Sequence, residues 1–553
     1  ESAAAGTLGD NPSNLLTQYN AQWNAYASGL SNQGGAADQQ YYVAAMVLKA
    51  AQDKKSGGMV AGLGTPWGDT GGSRDNCGYH QDVDGYHAVF PRDLYKFASA
   101  MIVAGDRATA DKALDFLFNS RMQQVDGHFP RYAFTDGTIQ EAVQLDETAF
   151  PIVLAWKLGR TDAATYTKNI KPAADFIVTV PKAPRGYGNE RWEEDQGYSP
   201  STIAAEIAGL VCAADIARIN GDAASQQRYL ACADYWQGMV ENWTFTTSGP
   251  IGNGRYYERV DDDGNPNDGH AIAIQNRKNL NPDERTIIDA GFLELVRHGV
   301  KSADNPYVLS SIVAVDSKIK RTIMGEGDGF YRYNEDGYGE DQNGDNWTGG
   351  DTQGIGRLWP LLTGERGHYV IAQGGDASPY VRTMRAFANP SFMIPEQVFD
   401  NTPPLGYAPG VPTKSMTPLS WSMGEYISLL ASNAQHQVLD RPSIVYDRYV
   451  TNAFKPNAAS VVDFNQNDAK QGKALTIFYK GALAAAPQVT MHWGFNNWQG
   501  TTDKPMIKRN DGFWETTISV PMTATGLNFA FTDGTNWDNN GNQNWNQPVG
   551  PGP

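Results

Sequence analysis

A mainly α chain, an (α/α)6 barrel followed by a small all-β sandwich, is what three features of the sequence predict. Apolar residues recur at helical spacing from about residue 37 to 434, enough for roughly twelve helices. Six of the joins between them are long and rich in Gly, Asp, Trp and Tyr, at 54–90, 122–145, 181–198, 242–284, 321–349 and 389–415. After about residue 450 the texture changes to period-two alternation between clusters of Gly, Asn and Asp.

The helices are expected at 38–53, 91–105, 107–121, 146–158, 163–179, 199–219, 221–241, 285–299, 305–320, 350–365, 368–388 and 416–433. Ser199-Pro200 offers a cap followed by proline at the first helical position, and Asn220-Gly221 closes the same helix. Thr417-Pro418 repeats that opening before the last helix. Within 199–219, Ile203, Ile207, Leu210, Val211 and Ala214 make one apolar stripe. Short turns such as Ala104-Gly105-Asp106 join alternate pairs, so the long loops gather on one face, where long structured loops usually carry function. Residues 1–36 read as an N-terminal extension, 37–450 as the barrel, 451–470 as a polar linker and 471–553 as the sandwich. The sandwich strands are signalled by Leu475-Ile477-Tyr479, Val489-Met491-Trp493 and Leu527-Phe529-Phe531.

A chain of 553 residues is too long for one core and suits two or three domains. Its 44 basic and 61 acidic residues leave a formal charge of -17, which repels phosphate backbones and acidic headgroups, so neither nucleic acid nor membrane is an expected partner. No run reaches the roughly 18 apolar residues of a membrane span. Aromatics make up 11%, with 14 Trp and 26 Tyr, against 19% charged residues, a balance suited to neutral hydroxylated ligands. Cys77, Cys212 and Cys232 lack metal-ligand spacing; Cys212 and Cys232 read as buried thiols, with one disulfide as the alternative. The chain begins at Glu1 without a charged-then-apolar leader, as a mature form does after signal cleavage, so a secreted monomer is expected.

Two loops hold carboxylates suited to cleaving a glycosidic bond, which needs one acid for the leaving oxygen and one carboxylate for water or carbon. In Gly188-Asn189-Glu190-Arg191-Trp192-Glu193-Glu194-Asp195, four acids crowd around an indole, and crowding and desolvation both raise a carboxyl pKa. The second is Ile394-Pro395-Glu396-Gln397-Val398-Phe399-Asp400. By spacing alone, either is more often a solvated acidic loop.

The helical region resembles glycoside hydrolase family 15, the glucoamylases and glucodextranases, through "GMVAGLGTPWG" at 58–68, "DGYHAVFPRDL" at 84–94, "QLDETAFPIVLAW" at 144–156, "ERWEEDQGYSPSTIAAEIAGL" at 190–210, "RYNED" at 332–336, "PEQVFD" at 395–400 and "PLSWS" at 418–422. The resemblance implies the (α/α)6 barrel and hydrolysis with inversion, with Glu193 as general acid and Glu396 as general base. Inversion implies carboxyls roughly 6.5–9.5 Å apart. It further implies that Arg92 and Asp93 hold the terminal glucose, that Arg332 binds sugar, that Trp192 and Glu194 line the next subsite, and that Trp421 sits in the pocket wall. Phe90 stands where bacterial relatives have Trp, and residues 138–143 lack the Trp usual there, which leaves linkage preference open. Many relatives also carry an N-terminal β-sandwich, for which residues 1–36 are too few.

The C-terminal segment resembles a starch-binding module of carbohydrate-binding family 25, through "MHWGFNNWQG" at 491–500, "DGFWETTISVP" at 511–521 and "LNFAFTDGTNWDNNGNQNW" at 527–545. His492, Trp498 and Trp537 fit its ligand platform. The implied activity is release of β-glucose from non-reducing ends of starch-type α-glucans, an exo-acting glucan 1,4-α-glucosidase. Glucodextranase action on α-1,6 bonds or transglycosylation is the alternative. A binding-only protein is disfavoured by the presence of both Glu193 and Glu396. No cofactor is required. Asp261-Asp262-Asp263-Gly264 and Asp341-Gln342-Asn343-Gly344-Asp345 lack full calcium-loop spacing and read as solvated turns, with structural calcium left open.

Overall fold

The computed structural model describes residues 10–31, 38–66, 84–119, 122–181, 183–186, 188–273, 276, 281–344, 354–451, 456–457, 459–465, 469–509 and 512–552. Cys77, Asp345 and the start of the helix expected at 350–365 lie outside them. The α-helices are Pro12–Gly29 (α1), Gln39–Ala51 (α2), Pro91–Val103 (α3), Arg107–Asn119 (α4), Leu145–Lys157 (α5), Lys171–Thr179 (α6), Pro200–Ile219 (α7) and Ala223–Thr244 (α8). They continue as Leu293–Arg297 (α9), Pro306–Lys318 (α10), Pro360–Ala372 (α11), Ser378–Ala386 (α12), Ser420–Gln435 (α13) and Ser443–Tyr449 (α14). α6 is preceded by a helical turn, Ala163–Thr165, and a π-helical turn, Tyr166–Ile170.

α3, α5, α7, α9, α11 and α13 pack each on the next, and α13 returns to α3, closing a ring. α2, α4, α6, α8, α10 and α12 alternate with them along the chain, the (α/α)6 arrangement expected. A helix inside such a ring has neighbours on every side. α7 is accordingly buried all round, and the single stripe expected there is only one of its buried faces. Gly209 permits the close approach of α5: a Cβ at that position would stand 3.1 Å from the Ala149 Cβ. Several charges inside the ring are paired, as in Lys96–Glu294 at 2.8 Å, Arg191–Glu365 at 2.8 Å and Arg297–Asp440 at 2.6 Å, whereas neither oxygen of buried Glu206 on α7 has a hydrogen-bond partner among the described residues.

Some boundaries differ from expectation. The helix expected at 285–299 is reduced to a 3-10 turn at Glu284–Thr286 and the short α9, with Gly291 between them. The helix expected at 350–365 begins at Pro360, because proline suits the first helical position and biases its predecessor away from helix. The one expected at 368–388 is interrupted at Gly374, whose φ is +81°, and resumes at Ser378. Pro418 precedes α13 by two residues instead of opening it. α1, capped by the Asn11 side chain, and α14 were not anticipated. Cys212 and Cys232 are free thiols, Cys212 buried.

The sandwich has one sheet built from Ala469–Lys470, Thr490–Phe495, Gln499–Pro505, Gly526–Thr532, Trp537–Asp538 and Trp545–Gly550, and a second from Val462–Phe464, Ala474–Tyr479, Ile507–Lys508 and Trp514–Ser519. All nine residues of the three alternating triplets are buried, which is what a period-two strand with one inward face requires. Val462–Phe464 and Ala469–Lys470 belong to this domain although they fall in the stretch expected as linker.

Candidate active site

Helices that alternate inner and outer around a ring all place their inner N-termini at one end, so the segments opening the six inner helices meet there. Trp192 is their meeting point. Its ring stacks on Trp421, in the first turn of α13, at 6.4 Å and packs edge-on against Trp359, the N-cap of α11, at 5.4 Å. Its Nε1 donates to Asp289, just ahead of α9, at 3.3 Å.

Glu193, next in the chain, has φ +65°, a left-handed conformation that costs about 1–2 kcal/mol for a residue with a Cβ and is commonest at functional sites. The loop is held there from several sides. Gly188, at φ +106°, passes so close to the Val143 carbonyl that a Cβ would overlap it at 1.6 Å. Glu193 N–H donates to the Glu190 carbonyl at 2.7 Å, and Asn189 donates to the Glu193 carbonyl at 2.7 Å. The carboxylate sits between two guanidinium groups, Arg92 at 3.0 Å on Oε1 and Arg131 at 2.6 Å on Oε2, and its side chain keeps 18% exposure. Arg131 comes from the hairpin of Pro130–Ala133 (β1) and Ile139–Val143 (β2), which forms this side of the site.

Arg92, in the first turn of α3, is ringed by acids: Asp93 at 3.0 Å, Glu147 at 3.2 Å and Asp146 at 3.8 Å besides Glu193. Burial pushes Asp93, Asp146 and Glu147 above the ordinary carboxylate range despite the opposing pull of Arg92. Phe90 packs on Tyr132 of the hairpin at 5.0 Å.

The remaining acids around Trp192 have separate fates. Glu194 is buried and bound by Arg332 at 2.7 Å, Arg259 at 3.3 Å, Asn276 at 3.0 Å and the Tyr333 hydroxyl at 2.5 Å. Burial drives its pKa up, but the two arginines and the hydrogen bonds together bring it below its ordinary value. Burial raises Glu190, and it pushes Asp195 up to about 7. Arg332 also forks onto Asp336 with two bonds of 2.7 Å and lies over Trp192, Trp359 and Tyr338 at 5.3, 5.3 and 4.7 Å. Trp192 and Trp421 are only 7% and 4% exposed, so they mainly frame guanidinium groups instead of presenting open faces.

Glu396 lies across from this cluster on the loop before α13, its N–H bonded to the Met416 carbonyl at 2.8 Å. It is buried. Oε1 accepts from the Tyr86 hydroxyl at 2.7 Å, while Oε2 has no hydrogen-bond partner among the described residues. Burial pushes its pKa up to about 7, with the Tyr86 bond and Arg332 pulling the other way. Tyr86 also shares a short hydrogen bond with Tyr338. The charges of both Glu396 and Glu193 add to the burial that raises the Tyr338 hydroxyl, so one phenol senses the two carboxylates.

The structure thus gathers Arg92, Asp93, Trp192, Glu193, Glu194, Arg332, Glu396 and Trp421 at one end of the barrel. Sequence reasoning passed over Tyr86, Arg131, Tyr338 and Trp359. Tyr86 lies within the "DGYHAVFPRDL" string but was hidden by the more conspicuous Arg92 and Asp93.

On the sandwich, the His492 ring stacks on Trp498 at 5.6 Å and meets Trp537 edge-on at 5.7 Å. Asp503 fixes the imidazole through Nδ1 at 2.6 Å. Trp537 is 56% exposed. The expected trio is one surface cluster.

The family model "Glycosyl hydrolases family 15" matches residues 128–431, and "Starch/carbohydrate-binding module (family 53)" matches residues 475–529. The module is therefore starch/carbohydrate-binding, but the match is to family 53 where family 25 was expected. The match covers the central strands from Leu475 to Phe529 and stops before Trp537. A glucoamylase of Clostridium sp. (strain G0005) is 45% identical over 451 residues, 81% of this chain and 60% of that protein. A crystal structure of bacterial glucoamylase complexed with acarbose is 44% identical with a TM-score of 0.74, covering 81% of this chain and 63% of that one. This chain spans less than two thirds of the length of either. The glycoside hydrolase family 15 glucoamylase from Hypocrea jecorina, 13% identical with a TM-score of 0.52 over 92% of this chain and 95% of its own, shares the fold.

Proposed function

The chain belongs to glycosyl hydrolases family 15, and from that premise we propose that it is an inverting, exo-acting glucan 1,4-α-glucosidase releasing β-glucose from non-reducing ends of starch-type glucans. One observation carries this reading. The barrel end holds two carboxyl groups in unlike surroundings, Glu193 partly exposed between Arg92 and Arg131 and Glu396 buried with Oε2 unpaired, and the family's motifs assign the acid to Glu193 and the base to Glu396.

In this reading Glu396 Oε2 takes a proton from water as that water attacks the anomeric carbon, and Glu193 gives its proton to the departing glycosidic oxygen. A base is most effective when its pKa lies near the working pH, and burial brings Glu396 to about 7. Arg92 and Asp93 hold hydroxyls of the terminal sugar. Arg332 has Nε and Nη2 committed to Asp336 and Glu194, which leaves Nη1 for a sugar hydroxyl. Glu194 acts by fixing Arg332 and Arg259. His492, Trp498 and Trp537 bind glucan chains and keep the barrel near them. A starch-type polymer cannot cross a membrane, so an enzyme that degrades it as an external substrate works outside the cell.

The test is glucose release from maltotriose and isomaltotriose in parallel, with the anomer followed by NMR. Faster release of β-glucose from maltotriose is expected. Preference for isomaltotriose would move the enzyme to dextran-type α-1,6 substrates with the same mechanism. Initial release of α-glucose would remove Glu396 from the role of water-activating base.

A further inference from the structure

The loop at Asp261 keeps Asp263 in solvent, as its composition suggests, but buries Asp261. Asp261 is fully buried, and Glu258 and Glu284 are buried beside it, each offering a carboxylate oxygen within 4.8 Å of the others. Both Glu258 oxygens, Asp261 Oδ2 and Glu284 Oε1 have no hydrogen-bond partner among the described residues. Asp261 Oδ1 accepts from Gly264 N–H, and Glu284 Oε2 accepts from Asp262 N–H at 3.3 Å. The groups whose charge reaches the cluster are nearly all acidic: Asp262, Asp263, Asp268 and Asp283. Arg285 opposes them but is already paired with Asp283 at 2.6 Å, and His270 lies on Asp262 at 2.8 Å, outside the three acids. Three buried carboxylates with unpaired oxygens, one oxygen of each brought close to the others, are a costly arrangement unless something positive lies among them.

We propose that Glu258, Asp261 and Glu284 form a binding site for one divalent cation of the calcium class. An all-oxygen donor set excludes the nitrogen and sulfur preference of zinc. Calcium takes oxygen ligands from carboxylates in flexible geometry, and one oxygen from each of the three acids lies close enough to the others to share one ion.

The site has a structural task. Asp261 forms a two-way backbone bridge with Tyr198, at 2.6 and 3.0 Å, directly after the acidic loop. Arg259, between two of the ligands in sequence, reaches Glu190 at 2.6 Å and Glu194 at 3.3 Å. A cation binding Glu258 and Asp261 braces the segment that holds the Glu193 loop from behind. It takes no part in the chemistry, and its assignment does not depend on the proposed substrate.

Full-length protein stripped with EDTA and exchanged into chelator-free buffer at pH 7.5 is titrated with calcium chloride by calorimetry, and Tm is recorded with and without calcium. Saturable binding and a Tm rise of several degrees are expected, since a ligand bound only by the folded state stabilises it. Glu258→Gln and Glu284→Gln, checked for folding by circular dichroism, are each expected to lose that binding and most of the rise. Asp341→Asn, in the other acidic loop, keeps both. Absence of calcium heat with equal Tm values overturns the proposal, as does binding undiminished in both Gln variants.

Discussion

At the barrel mouth, Trp192, Trp359 and Trp421 are nearly covered, and guanidinium groups lie against them: Arg191 and Arg332 on Trp192, Arg332 on Trp359, and Arg92 and Arg191 on Trp421. On the sandwich, Trp537 stands more than half exposed, and its ring meets His492 edge-on. The same side chain serves two physical purposes. In the mouth, indole gives buried cations an apolar wall with a negative face, and so helps fix the arginines that orient the carboxylates. On the sandwich it offers flat, dehydratable area to a ligand that arrives from solvent. Substitution in the mouth should therefore disturb charge placement and stability, whereas substitution on the sandwich should disturb adhesion alone.

The largest effect that tests this division comes from the carboxylates. Glu193→Gln and Glu396→Gln are each expected to lower kcat on maltotriose by at least about a thousandfold, within the range for removing a positioned acid or base. Adsorption to granular starch should be unchanged, as measured by depletion of protein from a starch slurry. Near-parental turnover in the double variant would sink the catalytic assignment.

Next in size is Arg332→Leu. It leaves Glu194 and Asp336 buried without their main cation, and breaking a buried pair in this way costs about 3–5 kcal/mol. A fall of several degrees in Tm is expected, along with weaker substrate binding. A Tm within one degree of the parent would show that solvent reaches this cluster.

Trp537→Ala should weaken adsorption to granular starch by about tenfold, the loss of one stacking contact, and leave Tm and maltotriose turnover in place. Loss of maltotriose turnover in this variant would erase the distinction between the two regions.

The smallest effect is a shift in pH dependence. The Tyr86 hydroxyl stabilises the ionised form of Glu396, so Tyr86→Phe should raise the pKa of Glu396 further. The acid limb of kcat/KM, below which Glu396 is protonated and cannot act as base, should move toward higher pH by up to about one unit. A shift toward lower pH would contradict the assignment of that limb to Glu396.

The sequence alone determined the helix count around the barrel, the six long loops and the inward residues of the sandwich strands. These follow from local periodicity: Leu475, Ile477 and Tyr479 are buried because alternate residues of a strand share a face. It also singled out Glu193, Glu396 and the basic and aromatic residues near them, because their motifs are contiguous. What only the tertiary structure decided is which groups act on one another across loops. Glu193 meets Arg131 from a separate hairpin, and Glu396 meets Tyr86 from 310 residues earlier. Of the acids around Trp192, burial raises Glu190 and Asp195, which were given no catalytic role, whereas Glu194 is lowered because Arg332 and Arg259 arrive from elsewhere in the chain. The Asp261 loop reads as a hydrophilic turn, and only folding reveals that it buries its acid against Glu258 and Glu284. Periodicity and motif are properties of neighbours along the chain, whereas charge pairing and desolvation depend on distances through space, which the closed ring of helices sets.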